Sequence, residues 1–324
     1  MPTSAAPSRL PRRRPARARR AARAVLVALA LVVTVAAADV ALILHRAPTV
    51  AVTTPGSGDG TAYLLLGSDS RGRLPEADRE RYADRHQASS ERADLVMVLR
   101  TRGGGGAQLL SIPRDLYVGA GSGRPHRLGL ALVDGPQAMV DSLCRDLGVG
   151  VDHVAILDFR GLIDLVDATG GVTVTTWEPL RDNKSGLRLP RAGTQVLDGT
   201  QALAWVRSRR PEALRDGRWV PVTDADRTRT AHAVEVIGQA ADGLADPLAA
   251  QRAAWAVAPR VRRDADLGVA EVASLARHLR AALAANRVST VPVRQTTTRV
   301  PVAFPTSGTE AAIEPFRTGS CRGR

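Results

Sequence analysis

Residues 94–115, DLVMVLRTRGGGGAQLLSIPRD, decide the fold. Within them DLVMVLR (94–100) and QLLSI (108–112) are apolar runs too short for helices. The four glycines at 103–106 between them suit a hairpin, so the two runs read as paired strands. A third run, 62–66, stops at Gly67 and reads as another buried strand. Polar residues gather where these runs end. The first is followed by Gly67-Ser68-Asp69-Ser70-Arg71, the second starts at Arg92-Ala93-Asp94, and the third leads into Pro113-Arg114-Asp115. If the middle strand is antiparallel to both others, all three clusters fall on one sheet edge. Asp69, Arg92, Asp94, Arg114 and Asp115 then converge.

Outward from the hairpin, Asp134-Gly135-Pro136 supplies a cap and an early proline for a helix to about residue 147. Residues 151–158 read as a strand, 159–169 as a helix with Leu162, Ile163 and Val166 on one side, and 172–176 as a strand. Gly170 is the expected stop of that helix. Residues 178–196 read as a polar loop. Asp198 is the expected N-cap of a helix through Trp205 and Val206, and Pro211 disfavours helix at Arg210, so this helix frays near Ser208. Further helices are expected at 225–242, 248–257 and 269–285, and a last strand at 288–293. The tail, 296–324, is poorly patterned. Strands mixed with helices predict an α/β fold, a layered α-β-α domain with a central mixed sheet.

The N-terminus is of a different kind. Residues 1–23 carry eight arginines and no acid. An apolar stretch of 21 residues follows at 24–44, interrupted only by Thr34 and Asp39. At about 1.5 Å per residue it spans roughly 30 Å, the thickness of a bilayer core. The basic flank predicts a cytoplasmic tail (1–23), a single transmembrane anchor (24–44), a flexible linker (45–60) and an extracytoplasmic domain (61–324) at the cell membrane. Ala36-Ala37-Ala38 also fits a signal-peptide cleavage site, and that alternative likewise exports the domain.

The net charge is +13, but with eight of the arginines in the tail the remainder carries only +5 (37 basic residues less 32 acidic). The basic balance is therefore a property of the tail and its membrane flank, and it does not make the domain a nucleic-acid binder. Two cysteines exclude a disulfide-rich scaffold and a cysteine-based zinc cluster. Cys144 and Cys321 are either joined, as export permits, or Cys144 is a buried free thiol. Lys184 is the only lysine.

Arginines clustered with a few carboxylates suit a diphosphate and a divalent cation. Arginine binds phosphate oxygens bidentately, and Mg²⁺ takes one or two carboxylates plus substrate phosphates. Arg207 and Arg209 form a further group; they share no helix face and reach one ligand only if the helix loosens there. The alternative for each Arg–Asp pair is a surface salt bridge.

At these residues the sequence resembles the LytR-CpsA-Psr family. The stretches that carry the resemblance are YLLLGSDSR (63–71), RADLVMVL (92–99), LLSIPRDLYV (109–118), DHVAILDFRGLIDLVDATGGVTV (152–174), LDGTQALAWVRSR (197–209) and DGRW (216–219). The resemblance implies a membrane-anchored transferase that moves a glycopolymer from a polyprenyl-diphosphate carrier onto peptidoglycan, with Mg²⁺ beside the diphosphate. Carried over by motif, Asp69 and Asp94 match the acids near the metal. Arg92, Arg114, Arg207 and Arg209 match the diphosphate-binding arginines, and Arg227 matches the arginine of a GR-x-x-RQ segment. Asp115 pairs with Arg114 as an orienter, and Asp69 and Asp115 are the candidate general bases. Two departures stand out. Residues 126–136, HRLGLALVDGP, lack the Lys and Asn of the family's segment, and Asp226, Thr230 and Ala231 replace the Gly, Arg and Gln of GR-x-x-RQ. They favour the alternative function, a non-catalytic binder of lipid-linked precursors that regulates envelope assembly.

Overall fold

A computed structural model of the chain describes residues 16–70, 91–103, 106–121, 123–222, 225–296 and 302–321. Two units divide the chain, residues 1–45 and 46–324. The described part of the first is helix α1, Ala16–Arg46, whose last residue belongs to the second. Its segment Val25–Arg46 is long and apolar enough to cross a membrane. The helix also extends back into the arginine-rich run, because alanine and arginine are both strong helix formers.

The second unit holds the remaining elements. Its strands begin with β1 Thr61–Ser68, β2 Ala93–Thr101, β3 Ala107–Ile112, β4 Tyr117–Val118, β5 His126–Arg127 and β6 His153–Asp158. They continue with β7 Val172–Thr176, β8 Leu180–Asp182, β9 Leu187–Leu189, β10 Gly193–Leu197, β11 Glu212–Arg215 and β12 Arg218–Pro221. The last four are β13 Val261–Arg263, β14 Val288–Thr290, β15 Val293–Gln295 and β16 Ala303–Pro305. The helices are α2 Pro136–Leu147, α3 Phe159–Ala168, α4 Gly199–Arg207, α5 Ala225–Gly243, α6 Pro247–Val257, α7 Val269–Ala284 and α8 Ser307–Ile313.

Six strands form the central sheet in the order β13-β6-β1-β2-β3-β14. β2 is antiparallel to both β1 and β3, while β6 runs parallel to β1 and β14 parallel to β3, so the sheet is mixed. Strand alternation sorts the two faces. Ala62, Leu64 and Leu66 of β1 pack with Met139 and Leu143 of α2 and with Leu128 and Leu132 of a 3-10 helix. Leu64, Leu128, Met139 and Leu143 are fully buried, each contributing roughly 1.5–3 kcal/mol. Tyr63, Met97, Leu99 and Leu109 face the opposite layer, where Leu65, Leu95, Ile237, Leu275 and Leu279 are only partly buried. That incomplete packing becomes the site.

Several local readings are corrected. The N-cap of α2 is Gly135, at φ 104°, and no side chain caps this helix. Residues 178–196 are not a loop: β8 and β9 pair as a hairpin, and β10 pairs with β7. β11 and β12 form a second hairpin over 212–221, turned at Asp216-Gly217 with φ 49° and 74°. The strand expected at 288–293 is split, its halves joining two different sheets. The tail carries β16 and α8, and Cys144–Cys321 is a disulfide. Thr318 N donates to Gly148 O at 2.9 Å beside it.

Candidate functional site

The polar sheet edge starts from a β-bulge. Gly67 lies opposite Leu95, but Ser68 lies opposite Ala93, so Asp94 is the extra residue of β2. A bulge breaks the alternation of the strand, and Asp94 and Leu95 both line the same cavity. Gly67 makes the close approach possible, since a Cβ there would stand 2.9 Å from the Leu95 Cβ. Just beyond the strand, Asp69 N donates to Arg92 O at 3.0 Å and Asp69 Oδ1 accepts from Arg92 N at 2.7 Å. These two bonds clamp the acid beside the arginine.

Arg114 follows β3 and makes an ion pair with Asp94. Its Nε lies 3.5 Å from Asp115 Oδ2, and Arg127 Nη1 lies 3.3 Å from Asp115 Oδ1. Asp115 does not join the cavity lining; it is buried behind Arg114, between two guanidinium groups. The Arg114 carbonyl accepts from Gly129 N at 2.7 Å. A Cβ on Gly129 would lie 2.6 Å from Ala93 O and 3.0 Å from Arg114 Cβ, so only glycine fits between the two strand ends.

The third group comes from α4. Asp198 caps the helix in a reciprocal box with Gln201. The helix stops at Arg207, and Ser208 is extended at ψ 123°, three residues before Pro211. Arg207 and Arg209 thereby line one cavity although they are two residues apart. The Arg207 guanidinium also lies over the Phe159 ring, 4.9 Å from its centroid. Arg227 sits in α5, and its side chain lies outside the described residues.

Asp182, unremarked in the sequence, holds this corner together. It is 3% exposed. Its Oδ1 accepts from the amides of Lys184 and Ser185, and its Oδ2 from the Ser208 hydroxyl and the amides of Arg209 and Arg210. Burial pushes its carboxyl up, but the amides of Arg210 and Lys184, the Ser208 hydroxyl and the Arg209 amide outweigh that and hold it below its ordinary value of 3.8. Glu91, beside Arg92, accepts from the Ser68 hydroxyl and the Arg262 guanidinium, which ties β13 to the same edge.

These groups rim a cavity of about 1040 Å³. Its body is apolar: Leu65, Leu95 and Met97 from the sheet, Leu162 and Leu165 from α3, Val236 and Ile237 from α5, and Leu275 and Leu279 from α7. Its rim holds Asp69, Arg92, Asp94, Arg114, Arg207, Arg209, Arg210 and Lys184. Among the described residues no group of three or more His, Cys, Asp or Glu gathers. Two carboxylates amid arginines fit a hard cation only where substrate phosphate oxygens and water complete its shell.

The sequence profile of the LytR_cpsA_psr family matches residues 31–312. The chain belongs to the LytR-CpsA-Psr family. The probable cell wall biosynthesis protein LcpB of Corynebacterium glutamicum is 37% identical over 167 residues, 51% of this chain and 40% of that protein. Bacillus subtilis TagT, a polyisoprenyl-teichoic acid–peptidoglycan teichoic acid transferase, is 28% identical over 204 residues, 60% of each chain. The chain thus matches less than two thirds of the length of either relative. The solved structure of the LytR-Csp2A-Psr enzyme from Actinomyces oris is 27% identical, with a TM-score of 0.68 over 85% of this chain and 97% of that one. TagT bound to LI-WTA is 20% identical, with a TM-score of 0.55 over 82% and 92%, and shows the shared LytR-CpsA-Psr fold alone.

Proposed function

We propose that this chain transfers a glycopolymer from a polyprenyl-diphosphate carrier to a hydroxyl of peptidoglycan, outside the membrane to which α1 anchors it. The observation that carries this reading is a cavity of about 1040 Å³ with an apolar body and a rim of arginines and carboxylates. The body suits an isoprenoid tail and the rim a diphosphate. The names of relatives such as TagT support glycopolymer transfer to peptidoglycan.

In the reaction, the acceptor oxygen attacks the phosphorus that bears the glycan. The phosphorus–oxygen bond to the carrier's phosphate breaks, polyprenyl phosphate leaves, and the glycan is left on a phosphodiester. Arg92, Arg114, Arg207 and Arg209 hold the phosphate oxygens and offset the charge that develops there. Asp69 and Asp94 are the rim carboxylates that can take the hydroxyl proton; Asp115, behind Arg114, only orients. Mg²⁺, held by Asp69 and Asp94, would supply further charge neutralisation. Positioning does the rest.

The test is release of polyprenyl phosphate from a glycan-bearing lipid, with and without Mg²⁺. Arg114→Ala lowers both affinity and turnover by roughly 10–150-fold, the worth of a charge-assisted contact. Asp94→Asn, which keeps the shape beside Arg114, chiefly lowers turnover and the response to Mg²⁺. One observation favours the binder instead: the divergent 126–136 segment buries Leu128 and spends Arg127 on Asp115. Lipid binding without turnover, with Mg²⁺ and peptidoglycan present, would establish that reading. A reporter active only in the cytoplasm, fused after Arg324, would refute the orientation.

A further inference from the structure

We infer that the outward face of α6 lies in the headgroup layer of the bilayer, so that the domain is seated on the membrane rather than tethered above it. This rests on the anchoring proposed above.

The chain leaves no slack where it enters the domain. The apolar stretch ends at Leu44, and Pro48 is already bonded to the edge strand β13. Arg263 N donates to Pro48 O at 3.0 Å, and Val50 N donates to Arg263 O at 2.8 Å. Ala47 is buried between them in sequence. Further on, Thr53 N donates to Gln137 Oε1 at 2.7 Å and Gly56 N to Val151 O at 3.1 Å, so the segment is laid along the domain. Four residues reach at most about 14 Å. A headgroup layer is itself about 5–8 Å thick. The β13 edge of the sheet therefore stands at the lipid surface.

Helix α6 flanks that edge. The Arg46 guanidinium lies over the Trp255 ring, 5.2 Å from its centroid, so the point where the chain enters the domain touches the last turn of α6. The helix sorts into two faces. Ala249 and Ala253, four residues apart, are buried. Leu248, Gln251, Arg252 and Trp255 follow the i, i+3, i+4, i+7 spacing of the outward face, where Leu248 is 73% exposed. One exposed leucine alone means little. Here it shares a face with a tryptophan and an arginine, a second arginine stacks on that tryptophan, and α6 contains no acid. At headgroup level a tryptophan ring suits the interface, the arginines meet lipid phosphates, and the leucine enters the acyl boundary.

The seat also bears on the cavity. Val257, the last residue of α6, and Val261 of β13 both line it. The apolar body thus runs up to the seated helix, and an isoprenoid tail passes from the acyl layer into it without crossing water.

The disulfide uses both native cysteines, so a single introduced thiol is the only one that labels. Leu248→Cys and Ser289→Cys each carry an environment-sensitive fluorophore in the full-length protein, in nanodiscs of phosphatidylcholine and phosphatidylglycerol. Ser289 is the control: it is exposed on β14, at the far edge of the sheet from β13, about 24 Å away across five strand spacings. The label at 248 should emit blue-shifted and lose most of its emission to lipids bearing a nitroxide at the top of the acyl chain, since such a helix sinks about 5–10 Å. The label at 289 should keep a water-like spectrum and its intensity. Water-like emission at both positions, in protein that stays with the nanodisc, overturns the seat and leaves the anchor standing. Equal quenching at both shows no preferred face and also overturns the seat. A shielded label at 248 that nitroxide lipids do not quench assigns the face to a protein contact, such as a second copy of the chain, and overturns it as well. Protein that does not enter the nanodisc overturns anchor and seat together. Leu248→Glu, at an exposed position, should slow uptake of a fluorescent polyprenyl diphosphate from nanodiscs and leave uptake from detergent micelles unchanged; equal uptake from nanodiscs by variant and wild type overturns the passage of the tail beneath α6.

Discussion

Replacing Asp182 by asparagine exchanges one buried oxygen for an amide nitrogen, and neither orientation of the new side chain suits the donors around it. Oδ1 accepts from Lys184 N at 2.9 Å and Ser185 N at 3.3 Å. Oδ2 accepts from the Ser208 hydroxyl and Arg209 N at 3.0 Å and from Arg210 N at 2.9 Å. An NH₂ group in the first place meets two N–H groups. In the second it also meets two, and only the Ser208 hydroxyl can turn to accept from it. Either way two hydrogen bonds to a charged acceptor are lost, at about 1.5–3 kcal/mol each, or about 3–6 kcal/mol together. Set against a typical total of ~5–15 kcal/mol, this is a large loss. Thermal unfolding of the full chain in detergent should shift down by on the order of 10 °C. Ser208→Ala, which removes one of the five donors, should cost only about 1 kcal/mol. An Asp182→Asn protein within ~1 kcal/mol of wild type would refute the reasoning, because the donors would then have been satisfied elsewhere.

The same carboxylate sets an acid limit. Its pKa is lower in the folded than in the unfolded chain, so its contribution is complete above 3.8 and is lost as pH falls through the folded value; the wild-type unfolding midpoint should drop in that window more steeply than that of Asp182→Asn. Gly129→Ala should cost about 1–3 kcal/mol and weaken lipid binding through Arg114, whereas Gly103→Ala, whose Cβ meets nothing within 4 Å, should be near neutral in both measurements. Reducing the disulfide between Cys144 and Cys321, 177 residues apart, should remove about 2–5 kcal/mol from the unfolding free energy; two free thiols in protein taken from its native compartment would refute the bond.

The central sheet was legible because its strands are continuous apolar runs, and the four glycines set the β2–β3 polarity that brings Asp94 and Arg114 to one edge; that Asp69 joins them depends on β1 also being antiparallel to β2, which the glycines do not dictate. The loosened end of α4 was legible from Pro211. The small sheet was not: β8 and β9 are three residues each, too short for the alternation of a strand to stand out from a polar loop. The β11–β12 hairpin does carry a signal, Asp216-Gly217, a dipeptide that favours the positive φ of a tight hairpin turn. Pro292 split the last strand because it cannot donate to a ladder. Asp182 was invisible for a different reason. Three of its five donors lie 26 to 28 residues away, and two of those are backbone amides, which any residue would offer.

The apolar body of the cavity bears on exchange as well as recognition. A methylene leaving water for an apolar wall gains about 0.8 kcal/mol, but a carrier's tail comes from a bilayer and returns to it, so its transfer between membrane and cavity is close to neutral. On the proposed reading occupancy is then decided at the rim, where each charge-assisted contact is worth about 1.5–3 kcal/mol, and a carrier that has given up one phosphate is displaced by one that has two. Side chains far from any phosphate, such as Leu275 and Leu279, thereby shield the tail from water without holding the spent carrier back.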